Sequence, residues 1–213
     1  MIDWAWISAH LDDIAAATGD HIVLSAIAVG VGLAISAGLA LLIVRDPRAY
    51  GPVTAVTGLL YTIPSLALFA ILVPITGLSV LTAEVGLVSY TLLILVRNIV
   101  AGLDAVPPEA REAAAGMGYS RLERLWRVEV PLALPVIVAG LRIATVTTIG
   151  LVMVTALIGQ GGLGQLMLRG FTLQNYTAVY VGTALSIALA VVADLLFILL
   201  VRVATPWRAA AGR

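Results

Sequence analysis

The sequence predicts an all-α polytopic membrane protein with five transmembrane helices, and three observations carry that prediction. Hydrophobic residues fill 61% of the 213 positions and charged residues only 11%. The mean hydropathy is +1.08, far from the balance of a water-soluble domain. Uncharged runs recur at lengths that match a hydrocarbon core of about 30 Å, and the basic residues gather on alternate connections.

Residues 1–20 open the chain as an external, interfacial amphipathic helix, because Trp4, Ile7, Leu11 and Ile14 recur at helical spacing. A solvated leader is the plainer alternative. A basic start and a continuous apolar core are both missing, so the segment does not read as a cleavable signal peptide. The transmembrane domain then covers 21–203. Its first span is 22–44, 23 uncharged positions. Residues 49–83 hold 35 uncharged positions, roughly 52 Å as a helix, too long for one crossing and too short for two. The second span is placed at 52–74, with a bend near "TIPS" at Pro64 and a stop near "VPITG" at Pro74. The third covers 85–103 and carries Arg97, the fourth 135–158 with Arg142, and the fifth 178–202 with Asp194. A polar loop, 104–134, separates spans three and four, and 204–213 form a tail.

Five crossings put the termini on opposite sides. Arg45, Arg48, Arg111, Arg121, Arg124, Arg127, Arg202, Arg208 and Arg213 fall on one side, against Arg169 on the other. The positive-inside rule makes the first side cytoplasmic, with the C-terminus there and the acidic N-terminus (Asp3, Asp12, Asp13, Asp20) outside.

Composition also excludes chemistry. There is no cysteine, and only His10 and His21 offer imidazole, so no metal site is expected. All twelve basic residues are arginine, and no GxxxxGK[ST] exists; a chain without that lysine hydrolyses no nucleotide by a P-loop. Neither HExxH nor a serine–histidine pair at plausible depth appears, so no catalytic residue is assigned.

The polar loop concentrates eight of the 24 charges within 107–131: Glu109, Arg111, Glu112, Arg121, Glu123, Arg124, Arg127 and Glu129. Ala110, Ala113, Ala114 and Met117 are assigned to one helical face, and Leu122, Leu125 and Trp126 to another. Two short helices with a corner at Gly118 follow, with Pro107 and Pro108 fixing the start and Pro131 and Pro135 the return to the membrane. Patterning alone also suits a solvated connector.

The spacing adds more. "EAAAGMG", nine residues, then "VEVP" resembles the coupling-loop signature of ABC importer permeases: EAA, three residues, Gly, nine residues, Ile-x-Leu-Pro. Glu112, Ala113, Ala114, Gly118 and Pro131 stand on its fixed positions, and Val128 and Val130 replace Ile and Leu with apolar character kept. "YTIPSLALFAILVPITG", "LVRNIVAGL", "VEVPLALPVIVAGLRIATV" and "ALIGQGGLGQLMLRG" extend the likeness over residues 20–203. They resemble the permeases of osmoprotectant importers, for glycine betaine, choline or carnitine.

That resemblance implies the five-span type I importer permease (MetI-like) fold in a bacterial inner membrane. It implies a loop docked on a separate ABC ATPase present in two copies, which would hold the ATP and Mg. A second permease, identical or paralogous, an external substrate-binding protein and the lipid bilayer complete the partners. No cofactor on this chain and no nucleic acid are implied. A methionine or other amino-acid importer permease is the alternative, and an ion-coupled secondary transporter a more distant one.

Buried polar groups outline a path. Arg142 and Asp194 fall roughly 10 and 12 Å from the inner helix ends at 1.5 Å per residue, so they could pair across spans four and five, with Arg97 and Asn98 slightly shallower. A static pair that pins the helices serves equally well. Thr145, Thr147 and Thr148 could line a channel, or bond their own helix. "GQGGLG", with Gly159, Gly161, Gly162 and Gly164, fits an external gate or an inert turn. No aromatic cage is visible in the spans, since Trp4, Trp6, Trp126 and Trp207 fall outside them; cargo selection is left to the binding protein.

Overall fold

The computed structural model describes residues 2–205; the expectations for Trp207, Arg208, Arg213 and most of the tail lie outside them. All regular structure among the described residues is helical: α1 (Trp4–Ala9), α2 (Leu11–Arg45), α3 (Tyr50–Thr62), α4 (Ser65–Thr76), α5 (Val80–Asp104), α6 (Pro108–Gly116), α7 (Arg121–Arg124), α8 (Val130–Val152), α9 (Leu163–Thr172) and α10 (Tyr176–Ala204). A π-helical turn, Leu125–Glu129, joins α7 to α8.

The register of α2 on α5 determines how the chain crosses the membrane. Ala28 clusters with Leu87, Gly32 lies against Thr91, and Ala40 and Ile43 cluster with Val96, Ile99, Val100 and Leu103. Both helices advance together, so they run parallel. Chain 46–79 must therefore return across the full thickness. Helix α8 runs antiparallel to α5, with Gly102 against Ala133, Asn98 against Gly140 and Leu87 against Val152. Below, the end of the bundle carrying α6 and α7 is the loop end; the end carrying Gly159–Gly162 is the glycine end.

Three boundaries differ from the sequence expectation. The segment 1–20 is not one helix of its own: α1 takes Trp4–Ala9 and α2 is continuous from Leu11, because nothing between residues 11 and 22 breaks a helix and Ile14 is buried. At about 1.5 Å per residue its 35 residues reach roughly 52 Å, longer than the hydrocarbon core. The second span is not one bent helix but two, α3 and α4, at 95°. Pro64 pushes Ile63 into an extended conformation (φ −66°, ψ 125°), and the Tyr90 hydroxyl donates to the freed Ile63 carbonyl. Pro74, by contrast, is accommodated inside α4, which ends at Gly77 (φ 73°). The third span begins at Val80, capped by Ser79, which brings Glu84 into the helix.

Candidate functional site

At the loop end, Pro108 starts α6 within its first turn, where a missing N–H costs nothing. The corner turns at Gly118 (φ 85°), a conformation that favours glycine. Ser120 then opens α7 with a capping box: its side chain accepts from the Glu123 N–H, and the Glu123 carboxylate accepts from the Ser120 N–H at 3.0 Å and hydroxyl at 2.8 Å. Those hydrogen bonds, the backbone one foremost, hold the Glu123 carboxyl below the usual range.

The faces divide differently from the sequence reading. Ala114 is fully buried and Ala110 packs behind it, whereas Ala113 and Met117 face out with Glu112. Leu125 points inward, while Leu122 and Trp126 point out. The first grouping therefore splits into an inner and an outer pair, and the second into one inner residue and an outer pair. An exposed patch of Ala113, Met117, Leu122 and Trp126 surrounds the Gly118 corner.

The second loop helix is not a separate short element either. It runs through the π turn into α8 without a break. Pro131 cannot donate to residue 127 and its ring would crowd that carbonyl; the π turn, in which the Val130 N–H reaches the Leu125 carbonyl, takes up the strain just before it. Pro135 is buried within the early turns of α8. Both prolines sit inside one rod, so neither marks a re-entry.

Deeper in, Arg142 on α8 meets Asp194 on α10. Arg142 Nη2 donates to Asp194 Oδ2 at 2.7 Å and Nε to Oδ1. The pair is bidentate and half exposed. Arg97 is exposed and takes no part in it. Asn98 donates to the Ile94 carbonyl at 2.8 Å and packs against Gly140, where an added Cβ would lie 2.3 Å from the Asn98 Cβ. Of the four polar groups, one couple meets across helices and the other two do not join it. Thr145 bonds Leu141 within its own helix. Thr147 lines a recess of about 270 Å³ beside the α3–α4 break, with Tyr61, Pro64 and Tyr90.

At the glycine end, Gly159, Gly161 and Gly162 all have positive φ (78°, 122° and 46°). A Cβ on Gly162 would lie 2.3 Å from the Ala17 carbonyl oxygen and 2.6 Å from the His21 nitrogen; one on Gly164 would lie 2.6 Å from the Met153 carbonyl oxygen. The turn is thus pressed onto α2 and onto the end of α8. A cavity of about 660 Å³ opens beside it, lined by Trp6, His10, Asp13, Asp20, Gln165 and Arg169 among others.

Sequence reasoning missed three groups here. His21 is fully buried, its Nε2–H donating to the Ile149 carbonyl at 3.0 Å, and so ties α2 to α8 below the glycine turn. Glu84 is buried without a hydrogen-bond partner among the described residues; a third span starting at 85 leaves it just outside, whereas α5 takes it into the helix. Tyr61 and Tyr90 form an edge-to-face pair with centroids 5.9 Å apart, an aromatic contact inside spans that hold no tryptophan. The "TIPS" break was the available signal, because a broken helix brings side chains from both halves to its gap.

No cluster of metal-ligating side chains occurs among the described residues. In sequence, residues 30–205 match the family described as binding-protein-dependent transport system inner membrane component. The chain is similar to an osmoprotectant import permease of Salmonella typhimurium, 41% identical over 91% of this chain and 92% of that one. It is also similar to a glycine betaine/carnitine/choline transport system permease of Bacillus subtilis, 38% identical over 87% and 82%. Among solved structures, the inward-facing MetNI methionine ABC transporter superposes with a TM-score of 0.77 over 96% of this chain and 100% of that one at 22% identity. An amino acid ABC transporter gives 0.78 over 95% and 99% at 17%. At those identities the likeness is one of fold.

Proposed function

Because the chain belongs to the family of binding-protein-dependent transport system inner membrane components, we propose that it is the permease subunit of an ATP-driven importer of quaternary-ammonium osmoprotectants such as glycine betaine, choline or carnitine. The observation that carries the mechanism is the unbroken helical rod from α7 through α8. Glu112, Ala113, Ala114, Gly118 and Pro131 form or support a corner with an outward apolar patch, and that corner is continuous with a membrane span. A partner that grips the corner moves α8 directly; a flexible linker would absorb the displacement. ATP and Mg reside on that partner, an ABC ATPase in two copies, in keeping with the absence of any P-loop lysine.

The loop end faces the cytoplasm, and the N-terminus faces outward. Gly159, Gly161, Gly162 and Gly164 form the external gate, and a substrate-binding protein delivers cargo beside it. A second permease, identical or paralogous, completes the sealed path. Arg142 and Asp194 act first as a packing device: their charges satisfy each other, and an unpaired arginine would repel a cationic ammonium.

The substrate class is supported by the named cargo of the relatives. Reconstitution with the ATPase and binding protein tests the whole reading: glycine betaine uptake should require ATP and persist after ion gradients are collapsed. Uptake that follows a proton or sodium gradient without ATP would refute it.

A further inference from the structure

We propose that Glu129 is the positioning residue that lets the loop move α8: it grips Arg124 in the state seen here and closes on Arg111 when the loop is loaded. The proposal rests on the coupling role argued above. Glu129 is 6% exposed, the most buried charged side chain of the polar loop, and two arginines flank it. Arg124 Nε donates to Glu129 Oε1 at 2.7 Å. Positions five apart on a regular α-helix are rotated by roughly 140° from one another; the π turn Leu125–Glu129 brings these two onto one face. The turn that accommodates Pro131 thereby also builds an ion pair.

Arg111 supplies the other half. Its Nη2 donates to the Leu103 carbonyl at 2.5 Å, which also accepts from the Val106 N–H at 3.2 Å at the end of α5. Its Nε is buried without a hydrogen bond and lies 3.9 Å from Glu129 Oε2. A shift of about 1 Å would turn that gap into a charge-assisted hydrogen bond. Glu129 would then fasten α6 and, through Arg111, the end of α5 to the α7–α8 rod. In the state seen here α6 is held to α5 while its bond to the rod is unmade. The clamp has one closed and one open jaw.

The test has two arms. Hydrogen exchange on the chain alone in lipid nanodiscs should show the amides of residues 121–127 exchanging about tenfold faster in Glu129→Ala, the scale of one lost charge-assisted bond, with residues 109–117 unchanged because their bond to Glu129 is unmade in this state, and with the exposed control Glu109→Gln unchanged throughout. In proteoliposomes carrying the complete complex, glycine betaine taken up per ATP hydrolysed should fall by a similar factor in Glu129→Ala, with Glu129→Gln in between. If Glu129→Ala does not assemble, Arg111→Lys tests the open jaw alone: uptake per ATP should fall while exchange at residues 121–127 stays unchanged, since one ammonium cannot hold the Leu103 carbonyl and Glu129 through separate nitrogens. Exchange and uptake per ATP both unchanged would overturn the clamp. Faster exchange in a complex whose unaltered form shows no ATP-dependent uptake would sink the coupling reading and leave the clamp standing.

Discussion

Where two helices touch through a glycine, a single methyl group decides how close they can lie. Gly140 on α8 faces the Asn98 Cβ at a separation that no side chain at 140 can share, and a Cβ cannot swing away as a flexible terminus would. Gly140→Ala should therefore force α8 from α5 and cost about 1–3 kcal/mol, the range for overpacked cores, read as a lower thermal midpoint in detergent. Gly150→Ala, with open space around it, is the control and should leave the midpoint in place. The Arg142–Asp194 pair gives a second test at this scale. Asp194→Asn keeps the shape but leaves the guanidinium without its counter-charge, so the midpoint should fall by several degrees. Adding Arg142→Gln should restore it, because two neutral amides can still bond. An unchanged midpoint in the single variant would rule the pair out as a packing device.

The capping box makes α7 responsive to pH. Glu123 accepts from both Ser120 donors, and those bonds lower its carboxyl relative to the unfolded chain. A carboxyl lowered by folding contributes above its ordinary range, and that contribution fades as pH falls through the lowered value. Hydrogen-exchange protection at residues 120–124, taken relative to the intrinsic amide rate at each pH, should thus fall on acidification through that window, and Glu123→Gln should make the protection independent of pH there. A loop equally protected across the window in the unaltered chain would contradict this. The corner itself was legible in the sequence: "EAAAGMG" and "VEVP" located it, and Gly118 indicated its turn. Its faces were not. Sorting Ala110 with Ala113, or Leu122 with Leu125, requires knowing which side of each helix meets the bundle, and that is decided by Leu103, Val106 and Ala133, which come from other elements. The π turn was equally hidden, since no local composition distinguishes it from a helix that continues.

Across the whole molecule, four of the five spans were legible as single helices long enough to cross, because hydrophobic length is a local quantity. The break in the second span was visible only as a proline, and its angle depends on how α4 folds over α5, with Phe69 seated on Gly86. That break matters for topology. Neither α3 nor α4, at 13 and 12 residues, spans a bilayer alone, and a pair bent by 95° would also suit a loop that enters and leaves on one face. Parallel packing of α2 on α5 excludes that alternative: α2 finishes at the loop end and α5 starts at the glycine end, so the intervening chain has to cross. Since the protein contains no cysteine, single cysteines can report sidedness without background. Ser8→Cys, Leu78→Cys and Leu173→Cys, all at exposed glycine-end positions, should react in intact cells with an impermeant maleimide. Ser120→Cys at the loop corner should react only after the membrane is opened. Labelling of Ser120→Cys in intact cells alongside Ser8→Cys, with Leu78→Cys reacting only after the membrane is opened, would mean that the bent pair folds back, since α5 keeps residues 78 and 120 on opposite faces. The parallel register of α2 and α5 would then be wrong, and with it the continuity between corner and span on which the transmission of force depends.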